Sequence, residues 1–232
     1  MTLAPIGARA LVGAIRLVQG TTIRPFLLGI FVGLGLPGSL GAAQQFSADL
    51  IGKSAGKIYV SNSKVRIEMS DFPGGLFLLD GNAHTAYFVK PAQRVWMDAK
   101  QSTWLTQILV PLDPDDPCKQ WQAMAEIAGA ANQGKQWRCH RLGPESAGGR
   151  EPIKYRAISP EGISSYCLID PQLGFAVSIA REDGVKIELA NVQQGPPPTN
   201  LFEIPTNLRK FDPHQLIDRI KQSDVWVEPH NR

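Results

Sequence analysis

The chain has 232 residues, 43% of them hydrophobic, enough for one large or two small globular domains. Its formal net charge of +3 comes from Arg9, Arg16 and Arg24, since residues 1–43 carry no acidic side chain and the remainder is balanced. With no basic excess or Lys/Arg stripe beyond that segment, the electrostatic footprint of a nucleic-acid binder is missing.

Residues 1–43 have the order of an export signal. Arg24 precedes the apolar run Phe26–Leu36, and Pro37–Ala43 supplies small residues, which places cleavage after Ala43. A membrane anchor is the competing reading, but the run falls short of the ~20 residues needed to span a bilayer. No cysteine follows the apolar core, which argues against a lipid anchor. The expected divisions are therefore 1–43 as signal, 44–211 as the folded domain and 212–232 as a C-terminal helix and tail.

Phe46–Gly52 reads as the first mature strand. The stretch from Gly56 to Ala99 follows as short strands joined by turns too short for a crossover helix, so the neighbours are antiparallel. In Lys64–Met69, Val65, Ile67 and Met69 alternate with Lys64, Arg66 and Glu68, the pattern of a strand with one wet face. Asp80-Gly81-Asn82 calls for a tight hairpin before Thr85–Val89, and Lys90–Gln93 turns into Arg94–Asp98.

At Gln101–Leu109 the period changes, with Trp104, Leu105, Ile108 and Leu109 at helical spacing. A proline-interrupted acidic loop follows. Asp116-Pro117 then supplies an N-cap and a first helical proline, for a helix running to about Asn132. Strands resume at Gln136–Leu142, Ile153–Ala157, Ile163–Ile169, Phe175–Arg181 and Val185–Val192. Gly195–Pro198 suits polyproline II, Leu201–Pro205 a closing edge segment, and Asp212–Gln222 a short amphipathic helix.

In an oxidising compartment the three cysteines allow three pairings. Cys118 and Cys139 flank the predicted helix and are the favoured pair. Cys167, mid-strand, reads as a small buried hydrophobe. Metal binding through Cys139-His140 is disfavoured because no second ligand pair stands at zinc spacing.

The order of motifs resembles the LolA/LolB-like periplasmic lipoprotein-carrier superfamily, in an uncharacterised proteobacterial branch. The residues that carry it are the FSADL strand, GKIYVSNSKVRIE leading to FLLD, the RVW strand, Pro117–Trp121, Cys139–Gly143, Cys167–Phe175 and Leu201–Lys210. The resemblance implies an α+β, mainly β fold: a curved antiparallel sheet forming an incompletely closed barrel, with two or three helices over its concave face. It also implies a non-catalytic carrier of acyl chains or a lipidated protein, with no cofactor and as a monomer.

The lining expected from the apolar strand faces is Ile58, Val60, Val65, Ile67, Met69, Leu78, Phe88, Val95, Met97, Phe175, Val177, Ile187 and Leu189, with Trp121 and Met124 from the helix. The same residues would equally fill an ordinary core. His84, His140, His214 and His230 are scattered, and no nucleophile elbow, phosphate loop or paired metal-ligand motif occurs, so catalysis is not expected. The expectation is an exported periplasmic protein binding a hydrophobic molecule or lipidated partner, without nucleic acid and without a membrane span once matured. The alternative is an interaction or envelope-sensor module with a filled core.

Overall fold

A computed structural model describes residues 44–99, 104–128, 134–147 and 149–212. The expected signal segment and the C-terminal helix beyond Asp212 lie outside the described residues. Among the described residues twelve strands form one open sheet, antiparallel except at one edge. The first series is β1 (Gln45–Gly52), β2 (Gly56–Ser61), β3 (Lys64–Met69), β4 (Leu76–Asp80), β5 (Thr85–Lys90) and β6 (Val95–Asp98). Two helices follow, α1 (Leu105–Ile108) and α2 (Pro117–Ile127). The second series is β7 (Arg138–Pro144), β8 (Ile153–Ile158), β9 (Ser164–Asp170), β10 (Phe175–Arg181) and β11 (Lys186–Gln194). β12 (Arg209–Lys210) ends the described chain.

Each series is a meander, because its connections are too short for anything but antiparallel neighbours. They become one sheet because β1 pairs with β2 on one side and β11 on the other. The spatial order is β12-β6-β5-β4-β3-β2-β1-β11-β10-β9-β8-β7. Register shifts interrupt pairing near Ala48 in β1–β11, near Val177 in β9–β10 and near Leu142 in β7–β8. Such irregularities bend the strand and increase twist, in keeping with a curved sheet that does not close.

Alternation decides which side chains face the helices. Phe46 and Ala48 on β1, Ile58 and Val60 on β2, and Val65 and Ile67 on β3 stand in register across the sheet and are buried. They form the main core with Leu105, Ile108, Trp121 and Met124 from the helices. Trp121 has no exposed surface, and its indole Nε1 donates to the Ile108 carbonyl at 3.1 Å. That bond lets a large aromatic be buried without leaving its polar atom unpaired. It also ties α2 to α1. Phe46 meets Phe175 edge to face, ring centres 5.5 Å apart, joining the two strand series inside the core.

The helices are shorter than their periodicity suggests. The first is a single turn, Leu105–Ile108, and the second ends at Ile127, where the Ala128 amide returns to the Met124 carbonyl. Pro117 begins α2 as expected, but the Asp116 side chain makes no capping hydrogen bond. A disulfide joins Cys118 on α2 to Cys139 on β7, with Cα atoms 5.8 Å apart. Closing a loop of this size contributes roughly 3 kcal/mol in the chain-entropy description.

The opposite face of the sheet has its own small core. Leu76, Leu78 and Val89 are buried there against Tyr87, Trp96, Ile204 and Leu208. Residues 198–208 cross that face as a strap, and Arg66 Nη1 donates to the Leu201 carbonyl at 3.1 Å. The expected closing edge at Leu201–Pro205 is therefore a 3₁₀ turn (Thr199–Phe202) and loop lying on the sheet. The edge pairing falls later, at Arg209–Lys210, parallel to β6.

Two outcomes test this packing. Ile67→Ala removes a fully buried side chain beneath the helices and should cost about 2–5 kcal/mol in chemical denaturation. Burial pushes the Cys167 thiol up to about 12, so the native oxidised chain should take up no iodoacetamide at pH 8. One alkylated cysteine should appear after unfolding without reductant, with peptide mapping joining Cys118 to Cys139.

Candidate ligand-binding site

The helix-covered face is not uniformly closed. Over β1–β3, Ile58, Val60, Val65, Ile67 and Met69 are buried beneath the packed helices, as are Trp121 and Met124. Phe175 and Ile187 are buried in the same cluster. Those nine expected lining residues occupy filled core. Over β5–β6, Phe88, Val95 and Met97 on the same face are only half-buried. Beside them the Ser70–Gly75 loop carries Phe72, 41% exposed, whose ring lies 5.5 Å from Phe77 and 5.7 Å from Phe88. Phe77 and Phe88 themselves stand 5.0 Å apart. The result is an apolar patch at one end of the face, with a buried floor and an exposed aromatic rim.

Backbone placement makes this patch possible. A Cβ on Gly75 would lie 2.5 Å from Cζ of Phe88, so only glycine lets that ring rest on the loop without shifting. In the sequence, Pro73-Gly74-Gly75 signals a turn and nothing more.

Leu78 corrects the expected lining. It lies on the opposite face with Leu76 and Val89, and Phe77 takes its place opposite Phe88. The cause is turn length. Placing Leu78 and Phe88 on one face requires an odd number of residues between β4 and β5, and the observed loop, Gly81–His84, has an even number. A change of one residue moves every side chain of a strand to the other face. Asp80 organises that loop: its Oδ1 accepts from the amides of Asn82 at 2.9 Å and Ala83 at 3.1 Å, and His84 takes the left-handed φ of 50°. Asp170 repeats the arrangement, accepting from Gln172 and Leu173 before Gly174 at φ 51°.

Val177 and Leu189 lie at the margin of the main core. Val177 sits at the irregularity in β10 and Leu189 stands opposite buried Leu50; both are half-buried and pack against the main core. The expected lining thus divides into a filled core with a half-buried margin at Val177 and Leu189, the open patch at Phe88, Val95 and Met97, and Leu78 on the opposite face. Phe72 and Phe77 belong to the patch and had no distinguishing signal beyond hydrophobicity.

Among the described residues no group of three or more His, Cys, Asp or Glu side chains is placed to hold a metal ion. Among them, too, no helix is long and apolar enough to cross a membrane.

No family model and no curated protein sequence matches the chain. Three solved structures illustrate its structural likenesses. An uncharacterized conserved protein from Thermus thermophilus is similar at 10% identity and a TM-score of 0.44, over 74% of this chain and 91% of that one. The complex structure of Pseudomonas aeruginosa MucA/MucB is similar at 11% identity and TM-score 0.40, over 71% and 57%. A DUF1329 family protein from Desulfovibrio piger is similar at 9% identity and TM-score 0.34, over 72% and 92%. The chain also spans 33% of the length of PNGF-II. Likenesses this distant assign neither a family nor a function.

The turn that sets the patch's register is open to test. Burial raises the Asp80 carboxyl, but bonds from Ala83, Ser63 and Asn82 and the charge of Lys64 outweigh it and hold the pKa below its ordinary 3.8. A lowered folded pKa stabilises the fold above the unfolded value, and that contribution fades as pH falls through the folded one. Asp80→Ala should therefore destabilise at pH 7 by roughly 1–2 kcal/mol, and the difference from wild type should shrink below about pH 4. In the patch, Phe77→Ala should cost about 3–5 kcal/mol and Phe72→Ala less than about 1.

Proposed function

We propose that the chain is an exported, non-catalytic binding protein of the bacterial periplasm that holds a hydrophobic ligand at the β5–β6 end of its helix-covered face. The ligand class is a lipid acyl chain, free or attached to a protein. The observation that carries this reading is the uneven closure of that face: filled over β1–β3, half-open at Phe88, Val95 and Met97, and rimmed by exposed Phe72. An apolar surface with a rigid floor suits a hydrocarbon, whose transfer from water contributes about 0.8 kcal/mol per buried methylene. Export is supported by the signal-like 1–43 segment and by a disulfide within the folded domain. A binding module without lipid is the second reading, favoured by the complete burial of Ile58, Val60, Val65 and Ile67 beneath the helices.

The full chain, purified without detergent from the cells that produce it, should release lipid on solvent extraction and take up a fluorescent fatty acid once stripped. Met97→Asp should weaken uptake at least tenfold while Ile51→Asp, on the opposite face, leaves it unchanged. Absence of both extracted lipid and uptake would exclude the carrier reading and leave the module.

A further inference from the structure

The open sheet has two unequal edges. One is β12, only two residues long, both basic and exposed. Short, charged edges of this kind discourage further pairing. The other is β7, seven residues long, which pairs with β8 alone among the described strands. An edge strand turns alternate backbone N–H and C=O groups away from its sheet, so an incoming strand finds a row of donors and acceptors.

β7 is held in place from behind. Cys139 is covalently tied to Cys118 in the first turn of α2, and the Trp137 amide just before the strand donates to Gln122 Oε1 at 2.9 Å. A fixed edge loses less conformational freedom when a partner docks.

Its charge is one-sided. Arg138 and His140 share one face of β7 and Arg141 lies on the other, while the strand contains no carboxylate. No described carboxylate forms an ion pair with Arg138 or Arg141. By contrast, Lys154 and Arg156 on neighbouring β8 engage Glu145 at 2.7 Å and Glu182 at 3.6 Å. Asp113, Asp115 and Asp116 act on Tyr155, the cross-strand partner of Arg141, from the loop before α2. They lie on the helix-covered side, leaving Arg138 and His140 on the other.

These charges choose the occupant. Two copies of β7 pairing antiparallel would bring the Arg138 and Arg141 guanidinium groups of each copy close to those of the other, and like charges across a strand pair are destabilising. An extended strand with carboxylates at alternate positions would meet the same residues favourably. We infer that β7 is a docking edge for an extended acidic segment of a partner protein, added as a further antiparallel strand with its carboxylates facing Arg138 and His140. Leu142, 53% exposed at the irregularity that ends this run, offers the incoming strand an apolar contact.

The probe is a fluorescein-labelled peptide, Thr-Glu-Val-Glu-Thr-Glu-Val-Glu-Thr, titrated into the oxidised full chain at low salt and followed by anisotropy. It should bind saturably and at least tenfold tighter than the same peptide with Gln for Glu. Amide hydrogen exchange should slow in residues 138–142. The double variant Arg138→Glu, His140→Glu should lose at least tenfold in affinity with an unchanged melting temperature, since both side chains are exposed. Lack of binding, equal affinity for the two peptides, protection confined to other strands, or a dimer that protects β7 without peptide would each overturn the assignment.

Discussion

The pairing of β1 with β11 is the contact on which the rest of the molecule depends. Each strand series could form its own meander from local connections, but neither alone covers the helices. β1 is hydrogen-bonded on both flanks, so the first strand of the domain becomes a central one. Joining distant parts of the chain costs loop-closure entropy before any contact repays it. Here the return is the buried seam of Phe46 against Phe175, together with Leu50 opposite Leu189.

Once the two series are joined, the helices are too short to cover one face evenly. A one-turn α1 and an eleven-residue α2 seal β1–β3 through Leu105, Ile108, Trp121 and Met124. The β5–β6 end keeps partly exposed apolar side chains because those helical residues pack elsewhere. The opposite face is divided as well. Residues 198–208 close it over β4–β6, while the β9–β11 region keeps a groove bordered by Ile51, Leu168, Ser178 and Glu188. The disulfide complements this arrangement by binding the start of α2 to the far edge, where packing between helix and strand is sparse.

Periodicity was sufficient for the strands themselves. Val65, Ile67 and Met69 alternate with charged neighbours, and that pattern has one reading wherever half of a strand is wet. Proline and glycine punctuation placed most turns, and Pro117 marked the start of α2, because these residues act through their own backbone geometry. The pairing of Cys118 with Cys139 could be anticipated from their places on either side of one helix.

The distribution of those elements over two faces was a tertiary decision. The facing of Phe77 and Leu78 hung on a loop of four residues organised by the Asp80 carboxylate, and the local pattern of Leu76–Leu79, apolar at every position, could not choose between them. Val177 is left only half-buried at the core margin, at a register shift that exists only because β9 and β10 are paired. The Leu201–Pro205 segment became a strap because Leu76, Leu78 and Val89 left an apolar surface for it, formed by strands more than a hundred residues earlier. Local chemistry specifies which side chains want burial; the fold of the whole chain decides which surface buries them and which stays exposed.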